Sequence, residues 1–385
     1  MDHLMPNRNF DDIDWTMLRA DFPTTEKFCY LNLANKAILP RSVEASMQSW
    51  LEDIYENAGA AAFSMDEIEK TRAQVADTFG ARKECIALVK NTSEGVNIVA
   101  QGFPWTVGDN VVISEFEHEN NTFPWRHLAR RGIEIRLAEP GPDGCISVDQ
   151  YRDIVDGRTR ILAVGWVVYG NGYRADLRAL SDFCHENDVK LLVDGIQAVG
   201  ILSDRIDELG ADVLLAGGHK AQFSLAGAGF MYATPEMISS LTPPYAAKFS
   251  FDTLDRTVPD PGLATDAHRF EYGNPNFLGT WVQRRSAEYL KSVGLVNIEA
   301  RVRHLTTHLI ETADKYQIAV RTPRPWAHRA GIVSLDLGRH AGDTVRKLNA
   351  QGIIVAEKDG HLRASLHFYN NEDDIERFFS ALRGL

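Results

Sequence analysis

Short apolar runs rich in β-branched residues recur along the chain from Ile86 onward. They are Ile86–Val89, Val111–Ser114, Ile133–Leu137, Ile161–Val164, Leu191–Val193, Val213–Ala216 and Gly229–Tyr232. Runs of this length predict strands. Most are separated by stretches of helical spacing: Ser93–Gln101 after the first run, Thr122–Arg131 after the second, Leu177–Asn187 before Leu191. Strands alternating with helices predict a mostly parallel seven-stranded sheet covered on both faces. From Lys220 to Gly229 there is no room for a helical crossover, so the last strand is expected to join antiparallel.

Beyond Thr242 the pattern changes. Thr242–Leu263 is proline-rich and irregular, and Gly279–Tyr316 reads as long helices. Strand-like segments follow at Ile332–Leu337 and Leu362–Phe368. Ile375, Phe378, Phe379 and Leu382 then fall at helical spacing. The predicted fold class is therefore α/β, a large domain over residues 30–278 with a smaller C-terminal α+β domain over 279–385. Residues 1–29 are expected to pack on the small domain.

The chain has 385 residues and a net charge of −12 with no long run of either sign, which argues against nucleic acid or an anionic membrane as partner. No apolar run is long enough to span a bilayer, and Met1–Phe10 carries no stretch of signal-peptide type. Cys29, Cys85, Cys145 and Cys184 are widely spaced with no CxxC pair, which argues against a zinc site; no metal is expected. The expected setting is cytoplasmic, with reduced thiols.

In open parallel sheets ligands sit beyond the carboxyl ends of the strands, so the residues just after each run are the candidates. Asn91-Thr92-Ser93-Glu94-Gly95 opens a helix, where hydroxyls and free amides suit a phosphate; ordinary N-capping explains the same residues. His118 follows the second strand and can stack on a flat cofactor, or be a hydrogen-bonded surface histidine. Asp194 ends an apolar strand, where an acid is costly unless paired. A pyridinium nitrogen is one partner; a metal or a helix cap are others. Gly217-Gly218-His219-Lys220 places a lysine at the sheet mouth, able to form an imine or simply solvated. Together these supply a phosphate cradle, a ring stacker, a pyridine-nitrogen partner and an imine lysine on successive strand ends.

From about Tyr30 to near the end, the chain resembles the class V aminotransferase family of fold-type I pyridoxal-phosphate (PLP) enzymes. That family includes cysteine desulfurases, isopenicillin-N-epimerase-like proteins, transaminases and lyases. Tyr30-Leu31-Asn32-Leu33-Ala34-Asn35 resembles its substrate-side motif, which implies substrate contacts at Asn32, Ala34 and Asn35. The resemblance places Thr92, Ser93 and His219 on the phosphate and His118 on the ring. It places Tyr169 and Gln197 near the ring hydroxyl, Asp194 on the ring nitrogen and Lys220 in the Schiff base. Arg363 matches the arginine that holds the substrate carboxylate, a task suited to a bidentate fork. Two positions depart from the pattern. Gly217 stands where a serine is frequent, and Gly273-Asn274-Pro275 replaces a Gly-Thr pair that reaches the phosphate from the neighbouring subunit. Asn274 retains a donor, and the resemblance implies a homodimer with shared sites.

The resemblance further implies that an amino-acid amine displaces Lys220, which then takes the α-proton as general base, giving a quinonoid stabilised through Asp194. Transamination is the first expectation because it needs no further group. A lyase, through C–S cleavage or another elimination, and an epimerase share the same groups. Desulfurases carry a nucleophilic cysteine on a loop before the carboxylate arginine; here Gly352–His361 reads GIIVAEKDGH, which argues against a persulfide-forming desulfurase. Lys36 would suit an anionic substrate tail, or be solvated. The side-chain pocket is expected from loops such as Asn57–Asp66 and Phe249–Arg269. A non-catalytic PLP-binding regulator fits poorly, since fewer than 30 residues precede Tyr30. A nucleotide-binding α/β enzyme lacks the G-x-G-x-x-G and P-loop patterns.

Overall fold

The structure is a computed structural model describing residues 10–141 and 145–385. The part of the N-terminal expectation that falls on residues 1–9 lies outside the described residues. All seven apolar runs are strands: β1 (Ile86–Val89), β2 (Asn110–Ser114), β3 (Glu134–Ala138), β4 (Thr159–Gly165), β5 (Lys190–Asp194), β6 (Val213–Gly217) and β7 (Gly229–Ala233). They form one sheet in the order β1-β7-β6-β5-β4-β2-β3. Strands β2 to β6 pair in parallel, and β7 runs antiparallel to both neighbours, as the short connection requires. It is inserted between β1 and β6 rather than added at an edge.

Each strand feeds two apolar layers, because side chains alternate across a pleat. In β4, Ile161 and Ala163 enter one core with Val111, Leu192 and Leu215. Leu162 and Val164 enter the other with Val112, Leu191 and Leu214. Two-sided burial is why the runs are continuously apolar.

The main helices are α1 (Arg41–Asn57), α2 (Met65–Phe79), α3 (Thr92–Gly102), α4 (Leu177–Glu186), α5 (Phe277–Val293), α6 (Leu295–Lys315), α7 (Gly342–Ala350) and α8 (Glu372–Arg383). The predicted helix over Thr122–Arg131 forms only as Phe123–His127 continued by a 3-10 turn, and Gly132 at φ 75° ends it. Helices α1 and α2 were not foreseen; α5 packs across both. Arg72 on α2 is buried, donates to Ile86 O at 2.9 Å and pairs with Glu69 and Glu271.

Past α6, strands β8 (Ala319–Val320), β9 (Ile332–Asp336), β10 (Ala356–Lys358) and β11 (His361–Ser365) form an antiparallel sheet in the order β10-β11-β9-β8. The predicted strand Leu362–Phe368 leaves the sheet after Ser365. Between β10 and β11 the turn is Asp359-Gly360, with φ 52° and 83°. Left-handed backbone at both positions makes the tight hairpin turn that suits strand twist. Cys29–Tyr30 pairs in parallel with Ile353–Ile354, and Arg19 binds Asp374 and Tyr369 O, so the N-terminal residues lie against the C-terminal ones. Among the described residues no helix is long and apolar enough to cross a membrane.

Candidate active site

The carboxyl ends of β1, β2, β4, β5 and β6 converge on a cavity of about 400 Å³. At the end of β1, Asn91 caps α3 by accepting from Glu94 N–H at 2.9 Å. Thr92 and Ser93 follow in the first turn, where backbone amides have no helical acceptor. The helix reaches this position because residue 95 is glycine: a Cβ there would overlap Leu215 on β6.

At the mouth of β6, Lys220 is 9% exposed and makes no ion pair among the described residues. Burial lowers its ammonium to about 8; the Asp194 charge raises it and Arg363 lowers it further. The chain turns back sharply behind it, Phe223 N–H donating to Lys220 O at 3.0 Å. Phe223 takes the left-handed φ of 58°, costly for a bulky residue, and is locked by packing on Phe22 and His367. Gly217 stands where the resemblance expects a serine. A Cβ there would lie 3.1 Å from Ile196 Cδ1 and 3.3 Å from His219 Cε1, so the departure matches a tight backbone.

Asp194, at the end of β5, is buried and accepts Ile196 N–H at 3.0 Å through Oδ1. Burial raises its carboxyl, partly offset by that hydrogen bond and by Lys220. Gln197 donates to Ala34 O at 3.0 Å, while Ala34 N–H donates to Ser365 Oγ at 2.8 Å. The Ala34-Asn35 stretch is thereby held between the sheet end and β11. His118 follows β2; its Nδ1 accepts Asn120 N–H at 3.1 Å and its ring meets the Tyr169 ring edge-on at 5.0 Å. Burial lowers the imidazole pKa, as it does for His219.

Arg363 enters from β11 and is 6% exposed. Its Nη1 donates to Tyr169 O at 2.7 Å, while Nε is buried without a partner. A buried guanidinium with unused donors beside a cavity suits a carboxylate.

The cavity thus brings together Ala34, Asn35, Thr92, Ser93, His118, Tyr169, Asp194, Gln197, His219, Lys220 and Arg363. Two predicted residues stand apart. Asn32 does not line it; it bridges to Ser365 with its Oδ1 buried and unpartnered. Asn274 lines a separate cavity with Gly227, Phe249 and Tyr272. Neither residues 57–66 nor 249–269 line the cavity of their own chain.

Glu117 lines it too and had no predicted role. It is partly buried and accepts from Asn121 Nδ2 at 2.7 Å, Gly165 N–H at 2.7 Å and Ser114 Oγ at 3.2 Å. Burial, aided by the Asp194 charge, nevertheless pushes its carboxyl up to about 7 against these donors. The signal that marked Asp194, an acid at the end of an apolar strand, applied equally here. Lys358, on β10, was also missed.

Among the described residues no cysteine lines the cavity. Cys29 donates to Asp374 O at 3.2 Å, and burial pushes its thiol up to about 12. Cys184 is likewise raised to about 12. Such thiols are poor nucleophiles.

The family model described as Aminotransferase class-V matches residues 29–378. A curated cysteine desulfurase of Cronobacter sakazakii is 29% identical over 398 residues, covering 95% of this chain and 96% of that protein. The solved apo cysteine desulfurase of Thermococcus onnurineus NA1 superposes with a TM-score of 0.88 at 25% identity, covering 99% of this chain and 100% of that one. The cystine C–S lyase C-DES, solved with its product cysteine persulfide, gives a TM-score of 0.85 at 21% identity, over 94% of this chain and 98% of that one. C-DES has also been solved with glycine linked to its PLP cofactor.

Proposed function

The chain belongs to the class-V aminotransferase family of PLP enzymes, and from that premise we propose that it is a lyase, expelling a β-substituent from an amino acid without an enzyme thiol. One observation carries this reading. Relatives named cysteine desulfurase align over nearly the whole chain, yet the cavity holds every proton-handling group and no cysteine. Transamination, the first expectation from sequence, gains no dedicated residue from the structure.

The residues fit the cofactor. Lys220 offers a buried amine with no ion pair, Asp194 a buried carboxyl open to the cavity, and Thr92, Ser93 and His219 flank a helix N-terminus suited to phosphate. When bound, PLP supplies an electrophilic aldehyde and a ring that withdraws electrons from the substrate α-carbon. In this reading Arg363 fixes the α-carboxylate and His118 covers one ring face. Asp194 keeps a proton on the ring nitrogen. Lys220, with its amine near neutrality, takes the α-proton. The electron pair left at the α-carbon forms the Cα=Cβ bond as the β-substituent departs with its own pair. Expulsion into the cavity needs no thiol acceptor. The reading includes a cytoplasmic homodimer in which Asn274 reaches the partner's phosphate, supported by its place outside the cavity of its own chain.

The test supplies PLP-loaded protein with β-substituted amino acids and no keto acid. Equal yields of keto acid, ammonia and released substituent are expected. Turnover only when a keto-acid acceptor is added would overturn the reading in favour of transamination.

A further inference from the structure

The four-stranded sheet has one apolar and one polar face. Val333, Leu335, Leu362 and Ala364 turn into a core with Leu305, Leu309 and Phe378 of α6 and α8. Their alternates Ser334, Asp336, His361 and Arg363 face the other way, and Lys358 pairs opposite His361 in register. This polar face looks across a cleft of about 980 Å³ toward Phe116, Thr122, Arg126 and Leu137.

The cleft opens into the active-site cavity, for Phe116, Val168, Tyr169 and Lys358 line both. Two contacts hold this junction: Arg363 binds Tyr169 O, and Gly170 lies so close to the hairpin turn that a Cβ would meet Asp359 Oδ2 at 3.0 Å. Ligand sites span about 300–1,000 Å³, so the site cavity already accommodates a cofactor with a short amino acid. The cleft is additional volume along the wall that carries Arg363.

Lys358 stands at that junction. Its Nζ lies 4.7 Å from the Tyr169 ring centroid, where the Tyr169 hydroxyl and Glu119 also act on it, and among the described residues its ion-pair partner, Asp359, is 3.7 Å away, beyond a hydrogen bond. Arg321 meets Asp336 only at 3.9 Å, and the same carboxylate lies 3.9 Å from His361. Arg126, on the opposite wall, makes no ion pair among the described residues. In the cleft these three cations are matched in number by Glu115, Asp336 and Asp359. At the junction with the active-site cavity the nearest cations are Lys358 and Arg363, and Glu119 also acts on Lys358.

We propose that this cleft is the subsite for the distal part of the substrate, and that Lys358 binds an anionic group, a second carboxylate, carried beyond the β-position. The proposal rests on the lyase reading and adds its substrate class: amino acids with an extended, acid-terminated β-substituent. The hairpin that replaces a thiol-bearing loop supplies both the space and the lysine.

The test uses the PLP-loaded protein with a matched pair of probes, S-carboxymethyl-cysteine and its carboxamide. Dissociation constants are read from the change in cofactor absorbance, and KM and kcat from released keto acid. The wild type is expected to favour the carboxylate by about 10–100-fold, the worth of a charged hydrogen bond. Lys358→Met should abolish that preference through KM, and Lys358→Arg should keep most of it. No preference in the wild type, or an unchanged preference in Lys358→Met, overturns the subsite. Absence of any spectral response to either probe would overturn the parent reading and the subsite with it. A response without turnover would reject the lyase reading, and the ratio of the two dissociation constants would then decide the subsite, equal values overturning it.

Discussion

The most exacting prediction concerns the charge of Lys220. An ordinary lysine, at about 10.5, has roughly one amine in 3,000 free at pH 7. At about 8, Lys220 has roughly one in ten free, so its capture of an aldehyde should outrun a surface lysine by about 300-fold. The perturbation is Asp194→Asn, which keeps the shape and the acceptor for Ile196 N–H but removes the negative charge that raises Lys220. The midpoint should therefore fall below the wild-type value, and capture at pH 7 should quicken by up to about tenfold, the limit set by complete deprotonation. Arg363→Ala removes a positive charge and should move the midpoint up. The assay is the rate of imine absorbance after mixing cofactor-free protein with PLP across about pH 6 to 10.5, with borohydride trapping to locate the lysine. A wild-type midpoint near that of free lysine, or a rise in Asp194→Asn, would refute the reasoning. The same depression implies a stability cost. Lys220 costs roughly 3 kcal/mol below about pH 8, relieved as pH rises toward its unfolded value.

Other changes probe the scaffold. Glu117 has the opposite linkage to a paired acid: its folded pKa of about 7 lies above the unfolded 4.5, so stability falls as pH rises between them, by roughly 3 kcal/mol. Glu117→Gln should flatten that slope while costing about 1–3 kcal/mol overall, because its amide would oppose the Asn121 donor; melting temperatures of the two cofactor-free proteins across this range decide it. Arg363→Lys loses the planar fork and should lower kcat/KM about 10–100-fold, chiefly through KM, in steady-state assays. Gly95→Ala, mildly stabilising in an ordinary helix, should here destabilise by about 1–3 kcal/mol in denaturant titrations and weaken PLP affinity, since α3 must lift from Leu215.

Much of this was legible in the chain. Burial on both faces leaves a continuous apolar run, so all seven central strands and the mostly parallel character of their sheet could be read directly. Strand ends are where ligands meet such a sheet, so Ser93, His118, Asp194 and Lys220 stood out as a set, each open to another reading alone, and the family resemblance supplied their roles. The short link after Lys220 dictated an antiparallel β7. The insertion of β7 between β1 and β6 was not readable, because strand order depends on pairings remote in sequence. Glu117 shows the same limit: its motif and two of its donors, Ser114 and Asn121, are local, but the third, Gly165, is brought to it only by the pairing of β2 with β4.

The sequence by itself pointed to the cofactor, because residue type and place at a strand end are local properties that together carry the family resemblance. Only the tertiary structure decided what surrounds that chemistry. Chain segments more than a hundred residues apart had to meet before Arg363 could bind Tyr169 O, before Lys358 could stand over the Tyr169 ring, and before the cleft beside them existed. Composition and periodicity carry no information about such distant contacts, which are fixed by how the two sheets pack.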